Sequence, residues 1–176
     1  MERDLLHTRR IEIHGYKRAD GLYDIEGTLT DTKAYDRTSN GVVRRAGEPI
    51  HAMKLRITLG KDFLITDAHA EAPSLPYAGH CDDAPPVYAK LIGMTLAPGF
   101  MREVRERFGG VKGCTHLTEL IGAVATVAFQ TMSEELNASN DARPFQLDGC
   151  IALRTDGAAV QRFYPAWYRG GAAKVE

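Results

Sequence analysis

The sequence predicts an α+β domain in which an antiparallel meander of about four to five strands packs on one long helix, with shorter helices beside it. Three observations carry this. Residues 9–70 alternate apolar and polar side chains between Gly-rich or polar breaks, the period of strands with one buried face. Asp20-Gly21 stands between the first two of these runs, where it signals a hairpin. After residue 98 the apolar residues recur at helical spacing instead.

Taken in order, residues 10–16 place Ile11 and Ile13 on one face and Glu12 and His14 on the other. Residues 22–31 put Tyr23, Ile25, Gly27 and Leu29 on one side, with Asp24, Glu26 and Thr28 opposite. The third and fourth strands are expected over 50–59 and 63–70, with Gly60-Lys61-Asp62 turning between them. Residues 37–49, rich in Gly and Arg, and residues 73–86, with four prolines, read as surface loops, where function tends to sit. Pro98 suits the first helical position of a segment in which Phe100, Met101, Val104 and Phe108 recur, closed by Gly109-Gly110. Thr115 is then placed to cap the long helix, whose stripe is Leu117, Leu120, Ile121, Val124, Ala128, Met132 and Leu136. After a polar loop over 137–143, a short strand over 150–154 and a helical turn over 158–164 complete the chain.

A length of 176 residues accommodates one domain, 1–176. Lysine and arginine total 22 against 23 acids, and the net charge of −1 supplies no basic field, so a nucleic-acid partner is not expected. The longest strongly apolar stretch, 117–132, is interrupted by Thr118, Glu119, Thr126, Gln130 and Thr131. It falls short of the roughly 20 residues of a membrane span, so no membrane partner is expected either. The opening MERDLLHTRR has no apolar core of a secretion signal, which points to the cytoplasm. Three cysteines, Cys81, Cys114 and Cys150, cannot all pair within one chain, and none lies in a CxxC motif. A homodimer is left open.

Candidate chemistry lies in two regions. Gly109-Gly110-Val111-Lys112-Gly113-Cys114-Thr115-His116 leads into the long helix but lacks the order of a phosphate-binding loop, and reads as a tight turn between helices. Cys114 would stand at the helix N-terminus, where free amides favour a thiolate or hold a substrate carboxylate or phenolate, with His116 beside it. A zinc set would join Cys114 and His116 to His80 and Cys81, but the spacings match no zinc knuckle, and no metal or other cofactor is expected. In the strand region, Arg9, Arg10, Tyr16, Arg18, Tyr23, Asp24, Glu26 and Asp31 form a dense set of ionisable groups. His51, at the start of a strand, is the best-placed base, with Glu26 or Asp24 as partner or substitute. Arg10, Tyr16 and Tyr77 are candidates to stabilise a phenolate.

His7-Thr8-Arg9-Arg10, Asp20-Gly21-Leu22-Tyr23-Asp24-Ile25-Glu26-Gly27, Thr30-Asp31-Thr32-Lys33, Gly47-Glu48-Pro49-Ile50-His51 with Met53, Pro76-Tyr77 near Cys81, and above all Gly113-Cys114-Thr115-His116-Leu117-Thr118-Glu119-Leu120 resemble a bacterial family catalogued only as a domain of unknown function. The resemblance covers roughly residues 7–135. The family's Cys-Pro is Cys81-Asp82 here, which puts any role of that proline in doubt. The resemblance implies a place in aromatic-compound catabolism and a cofactor-free lyase that releases a one-carbon unit, formaldehyde, from lignin-derived phenolic dimers. A Cys/His zinc-dependent hydrolase and a non-catalytic accessory protein of an aromatic or acyl-CoA pathway are the alternatives.

Overall fold

The computed structural model describes residues 1–39, 41–136 and 143–170. The first of two compact units runs over Met1–Thr131. It opens with β1 (His7–Lys17) and β2 (Tyr23–Lys33), antiparallel in the register Ile11 opposite Leu29. The expected hairpin joins them. Gly21 takes a φ of +85°, its N–H bonds to Arg18 O at 3.1 Å, and Asp20 Oδ1 accepts from Leu22 N at 3.2 Å.

Residues 37–49 are more ordered than a loop, because β-branched Thr38, Val42 and Val43 support a small hairpin of β3 (Arg37–Ser39) and β4 (Val42–Arg44). The main sheet continues with β5 (Pro49–Leu59) and β6 (Ile65–Ser74), giving the order β1-β2-β5-β6, antiparallel throughout. The last strand starts at Ile65 instead of residue 63. Phe63 belongs to the turn, with a φ of +61° and its N–H bonded to Gly60 O at 3.0 Å.

Short α1 (Ala84–Val87) lies in the proline-rich segment and opens on Pro85 and Pro86. Next, α2 (Phe100–Phe108) buries Phe100, Val104 and Phe108. It does not begin at Pro98, since Gly99 has a φ of +98°, a left-handed value that no helical residue takes. The long helix, α3 (Thr115–Thr131), begins with Thr115 as its first residue, so Cys114 and not Thr115 holds the cap position.

The buried stripe of α3 is Leu117, Leu120, Ile121, Val124, Ala125 and Ala128. It meets the inward residues Tyr23, Ile25, Leu29, Met53, Leu55, Ile57 and Leu59 in one core. Gly27 sets how closely the helix rides on β2. A Cβ there would lie 2.7 Å from Val124 Cγ2 and 3.2 Å from Leu120 Cδ1, so only glycine fits this crossing.

The second unit begins at Met132 and holds α4 (Ser133–Leu136) and α5 (Ala158–Phe163), the latter where a final helical turn is expected. Met132 and Leu136, read as part of the long stripe, lie beyond the end of α3. Most of the polar loop over 137–143 lies outside the described residues. The strand expected over 150–154 is instead a single 3₁₀ turn, Ile151–Leu153. Leu153 N bonds to Cys150 O at 3.1 Å and Asp148 N to Leu153 O at 2.9 Å, so these groups are satisfied locally. Cys150 is exposed. Among the described residues no helix is long and apolar enough to cross a membrane.

Candidate active site

Asp31 stands in phase with Tyr23, Ile25, Gly27 and Leu29, so strand alternation turns its carboxylate to the face that α3 covers, and its side chain is 2% exposed. A carboxylate this deep must be paired. Cross-strand register supplies the partners. Arg9, opposite it on β1, donates from Nε to Oδ1 and from Nη2 to Oδ2, both at 2.8 Å, a bidentate clasp. His7, two residues earlier on the same face, brings Nε2 to 3.1 Å from Oδ1. His51 faces Asp31 from β5 and brings Nδ1 to 3.1 Å from Oδ2.

Between Asp31 and Thr32 the β2–β5 register shifts, so that Thr32 pairs with Pro49. This irregularity accommodates one extra residue, Ile50, whose side chain is buried beside the half-buried His51. The helix closes the cluster: His116 Nε2 lies 3.5 Å from Asp31 Oδ2, and Glu119 takes the remaining Arg9 Nη1. The His51 and His116 rings stack, with centroids 3.8 Å apart and planes inclined by 30°.

The electrostatics follow from these contacts. The Arg9 hydrogen bonds outweigh burial and hold the Asp31 carboxyl at about 2, below its ordinary value of 3.8. Burial, then the neighbouring His116, pushes the His51 pKa down, and Asp31 offsets this only in part. His116 is also pushed down, by burial first and Arg9 second. At neutral pH the Asp31 carboxylate and the Arg9 guanidinium therefore stand beside neutral imidazoles at His51 and His116. With its Nδ1–H given to Asp31, His51 presents the Nε2 lone pair, the arrangement of an oriented general base.

Tyr88, fully buried, pins the start of α3. Its hydroxyl accepts from Cys114 N at 2.9 Å and lies 2.8 Å from both Cys114 O and Thr118 Oγ1, while its ring stacks on Phe108 at 5.0 Å. Burial raises its pKa, so it stays a neutral phenol. This anchor sets Cys114 Sγ 3.7 Å from His116 Nδ1. Beside Glu119 lies an open cavity of about 340 Å³, lined by Phe108, Gly109, Gly110, Thr115 and Thr118.

Of the residues singled out in the sequence, the fold brings together His51, Cys114 and His116. Asp24 and Glu26 do not join them, because they stand on the other face of the sheet. There Asp24 Oδ1 accepts from Thr58 Oγ1 at 2.5 Å, and Glu26 pairs in register with Arg56, in a surface ladder that includes Arg56–Asp67 at 2.8 Å and Lys54–Glu71 at 3.2 Å. The cleft expected to hold His51 with this carboxylate pair is therefore not formed. Arg10, opposite Thr30, and Tyr16, opposite Asp24 and 48% exposed, share that outer face. Tyr77 is 57% exposed in the loop after β6. Asp31 and Arg9 belong to the dense ionisable set of the strand region, and His7 and Glu119 to the resembling blocks, but none of the four has a role assigned from the sequence. A carboxylate in phase with four apolar or small residues was the available signal.

A metal ion is tested by the same geometry. The zinc set of Cys114 and His116 with His80 and Cys81 is not the grouping the fold makes; the gathered donors are Asp31, His51 and His116, with ligand atoms within 4.8 Å of one another. Their chemistry suits zinc, but Arg9 already occupies both Asp31 oxygens. Imidazoles stacked face to face, moreover, cannot both aim at one ion with the wide angle of a tetrahedral site. We predict that the purified protein carries no stoichiometric metal. Inductively coupled plasma mass spectrometry finding about one zinc per chain, lost in His116→Ala, overturns this.

No curated protein and no solved structure matches this chain. Residues 7–130, which take in the whole four-stranded sheet and nearly all of α3, match the family described as "Protein of unknown function (DUF2889)", and the chain belongs to that family.

Proposed function

We propose that the protein is a lyase that removes a one-carbon unit, as formaldehyde, from a lignin-derived phenolic compound by acid/base chemistry without metal or organic cofactor. The observation that carries this reading is His51 Nδ1 at 3.1 Å from the buried Asp31, which leaves Nε2 free for a substrate hydroxyl. In the reaction, Nε2 takes the proton of a hydroxymethyl group, the bond between that carbon and its neighbour breaks, and formaldehyde leaves. The substrate reacts as its para-quinone methide, formed when the phenol gives up its proton and its benzylic hydroxyl leaves as water. The electron pair of the broken bond enters this quinone methide, which becomes a phenolate and receives the proton from His51. Each proton and electron pair is accounted for within the substrate, the departing water and the imidazole.

The Gly113–Leu120 block supports the assignment, since Cys114, His116 and Glu119 from it all enter the cluster. Glu119, which pairs with Arg9, also lines the open cavity of about 340 Å³. The partner in this reading is a small aromatic substrate and not a nucleic acid, and the free thiols of Cys81, Cys114 and Cys150 accord with a reducing cytoplasm.

The test is incubation of chelator-treated protein with a panel of hydroxymethyl-bearing phenolic dimers, without metal or nucleotide, while formaldehyde is measured by derivatisation. Release in amounts matching the aromatic product is expected. No formaldehyde from any dimer, or release only after metal is restored, overturns the reading.

A further inference from the structure

The proposed lyase chemistry uses His51 and leaves Cys114 and His116 without a task. Their arrangement is that of a nucleophile, a base and an orienting carboxylate. Cys114 Sγ lies 3.7 Å from His116 Nδ1, and the opposite nitrogen of that ring, Nε2, lies 3.5 Å from Asp31 Oδ2. A hydrogen on Nε2 faces the carboxylate, so Nδ1 presents its lone pair to the thiol.

Two anchors hold the thiol in place. The backbone of Cys114 is tied at both its N–H and its carbonyl to the hydroxyl of fully buried Tyr88, and its carbonyl also accepts the first bond of α3 from Thr118 N at 2.9 Å. Both Cys114 and His116 remain part-exposed, so the pair is reachable. His116, the partner of the sulfur, stacks on the proposed base His51, with ring centroids 3.8 Å apart.

We propose that Cys114, with His116 as base and Asp31 as the residue that positions it, is a nucleophile that adds to the carbonyl carbon of a small aldehyde. The Sγ–H proton passes to His116 Nδ1 as the S–C bond forms. The carbonyl π pair moves to oxygen, and His116 returns the proton there, giving a hemithioacetal with no oxidant or reductant consumed. The identity of the aldehyde as formaldehyde rests on the lyase reading; the reactivity of the thiol stands on the geometry. Captured at Cys114, a reactive product is held beside the place where it forms.

Two measurements on the full chain test this. In the first, iodoacetamide labelling is followed at each cysteine by mass spectrometry. Accessibility alone makes exposed Cys150 the faster site, whereas base activation makes half-buried Cys114 faster by about tenfold, an advantage removed in His116→Gln. Equal or slower labelling of Cys114, or no effect of His116→Gln in a variant with an unchanged circular dichroism spectrum, overturns the assignment.

In the second, ¹³C-formaldehyde is added directly and the hemithioacetal carbon is sought by NMR. It is expected in a Cys81→Ser/Cys150→Ser background, where Cys114 is the one thiol left, and absent when Cys114→Ser is added. No signal in that background, or one that persists after Cys114→Ser is added, overturns aldehyde capture. Because the aldehyde is supplied, this arm is unaffected if the protein releases none from phenolic dimers, and the two readings fail separately.

Discussion

If the protein is the lyase proposed above, His51→Ala is expected to lower formaldehyde release by about a hundredfold or more while leaving the thermal midpoint within a few degrees of the wild type, the scale expected for loss of a general base. The reason lies in the contacts of the ring. Its Nδ1 is committed to Asp31, its face stacks on His116, and Nε2 has no partner among the described residues, so the ring contributes a directed lone pair. Glu26→Gln is the control. Glu26 is exposed on the opposite face of the sheet, and its replacement leaves turnover unchanged and shifts stability by less than about half a kcal/mol. Comparable rate losses in both variants would place the chemistry on the outer face and overturn this assignment of the base, and full activity in His51→Ala would do so directly.

Asp31→Asn has the largest expected effect on stability. The folded carboxyl is held at about 2 against an ordinary 3.8, which corresponds to about 2 kcal/mol of stability at neutral pH. Because the folded value is the lower one, this contribution is complete above about pH 4 and is lost as pH falls toward 2. The histidines act with the same sign at higher pH. His51 and His116 are held below 6.5, so the unfolded chain takes up protons first and stability declines as pH falls through 6.5. Urea unfolding at a series of pH values checks this. The variant is expected to be weaker by about 2 to 3 kcal/mol at pH 7 and to have a flatter profile between pH 4 and 2. Parallel profiles for variant and wild type would show that Asp31 is not the paired anion described here.

The same residue explains why the site was only partly legible. Alternation read along residues 22–31 places every odd position on the helix side, and Asp31 shares that phase with Leu29. Taken at face value, the pattern buries a carboxylate. Asp24 and Glu26 read as a pair instead, and their phase puts them on the outer face of the sheet, where Arg56, Thr58 and Asp67 complete a polar network. Cys114 and His116 were legible because a Gly-rich turn before a strong apolar stripe marks a helix start. His51 was legible because it opens a strand.

The sequence by itself determined the four long strands, the Asp20-Gly21 hairpin, the helix from Thr115 and the face each residue takes, because these depend on period-two and helical repeats and on turn chemistry within a few residues. It misread short segments such as 150–154, where a few local hydrogen bonds outweigh a weak apolar pattern. Only the tertiary structure decided which charges meet. Arg9 and Asp31 are 22 residues apart, His51 and Asp31 are 20 apart, and Arg9 and Glu119 are 110 apart. Their contacts require a register with one extra residue at Ile50 and a helix that can settle on Gly27, and a long-range register is set by the packing of the whole sheet against the helix, which no local repeat encodes.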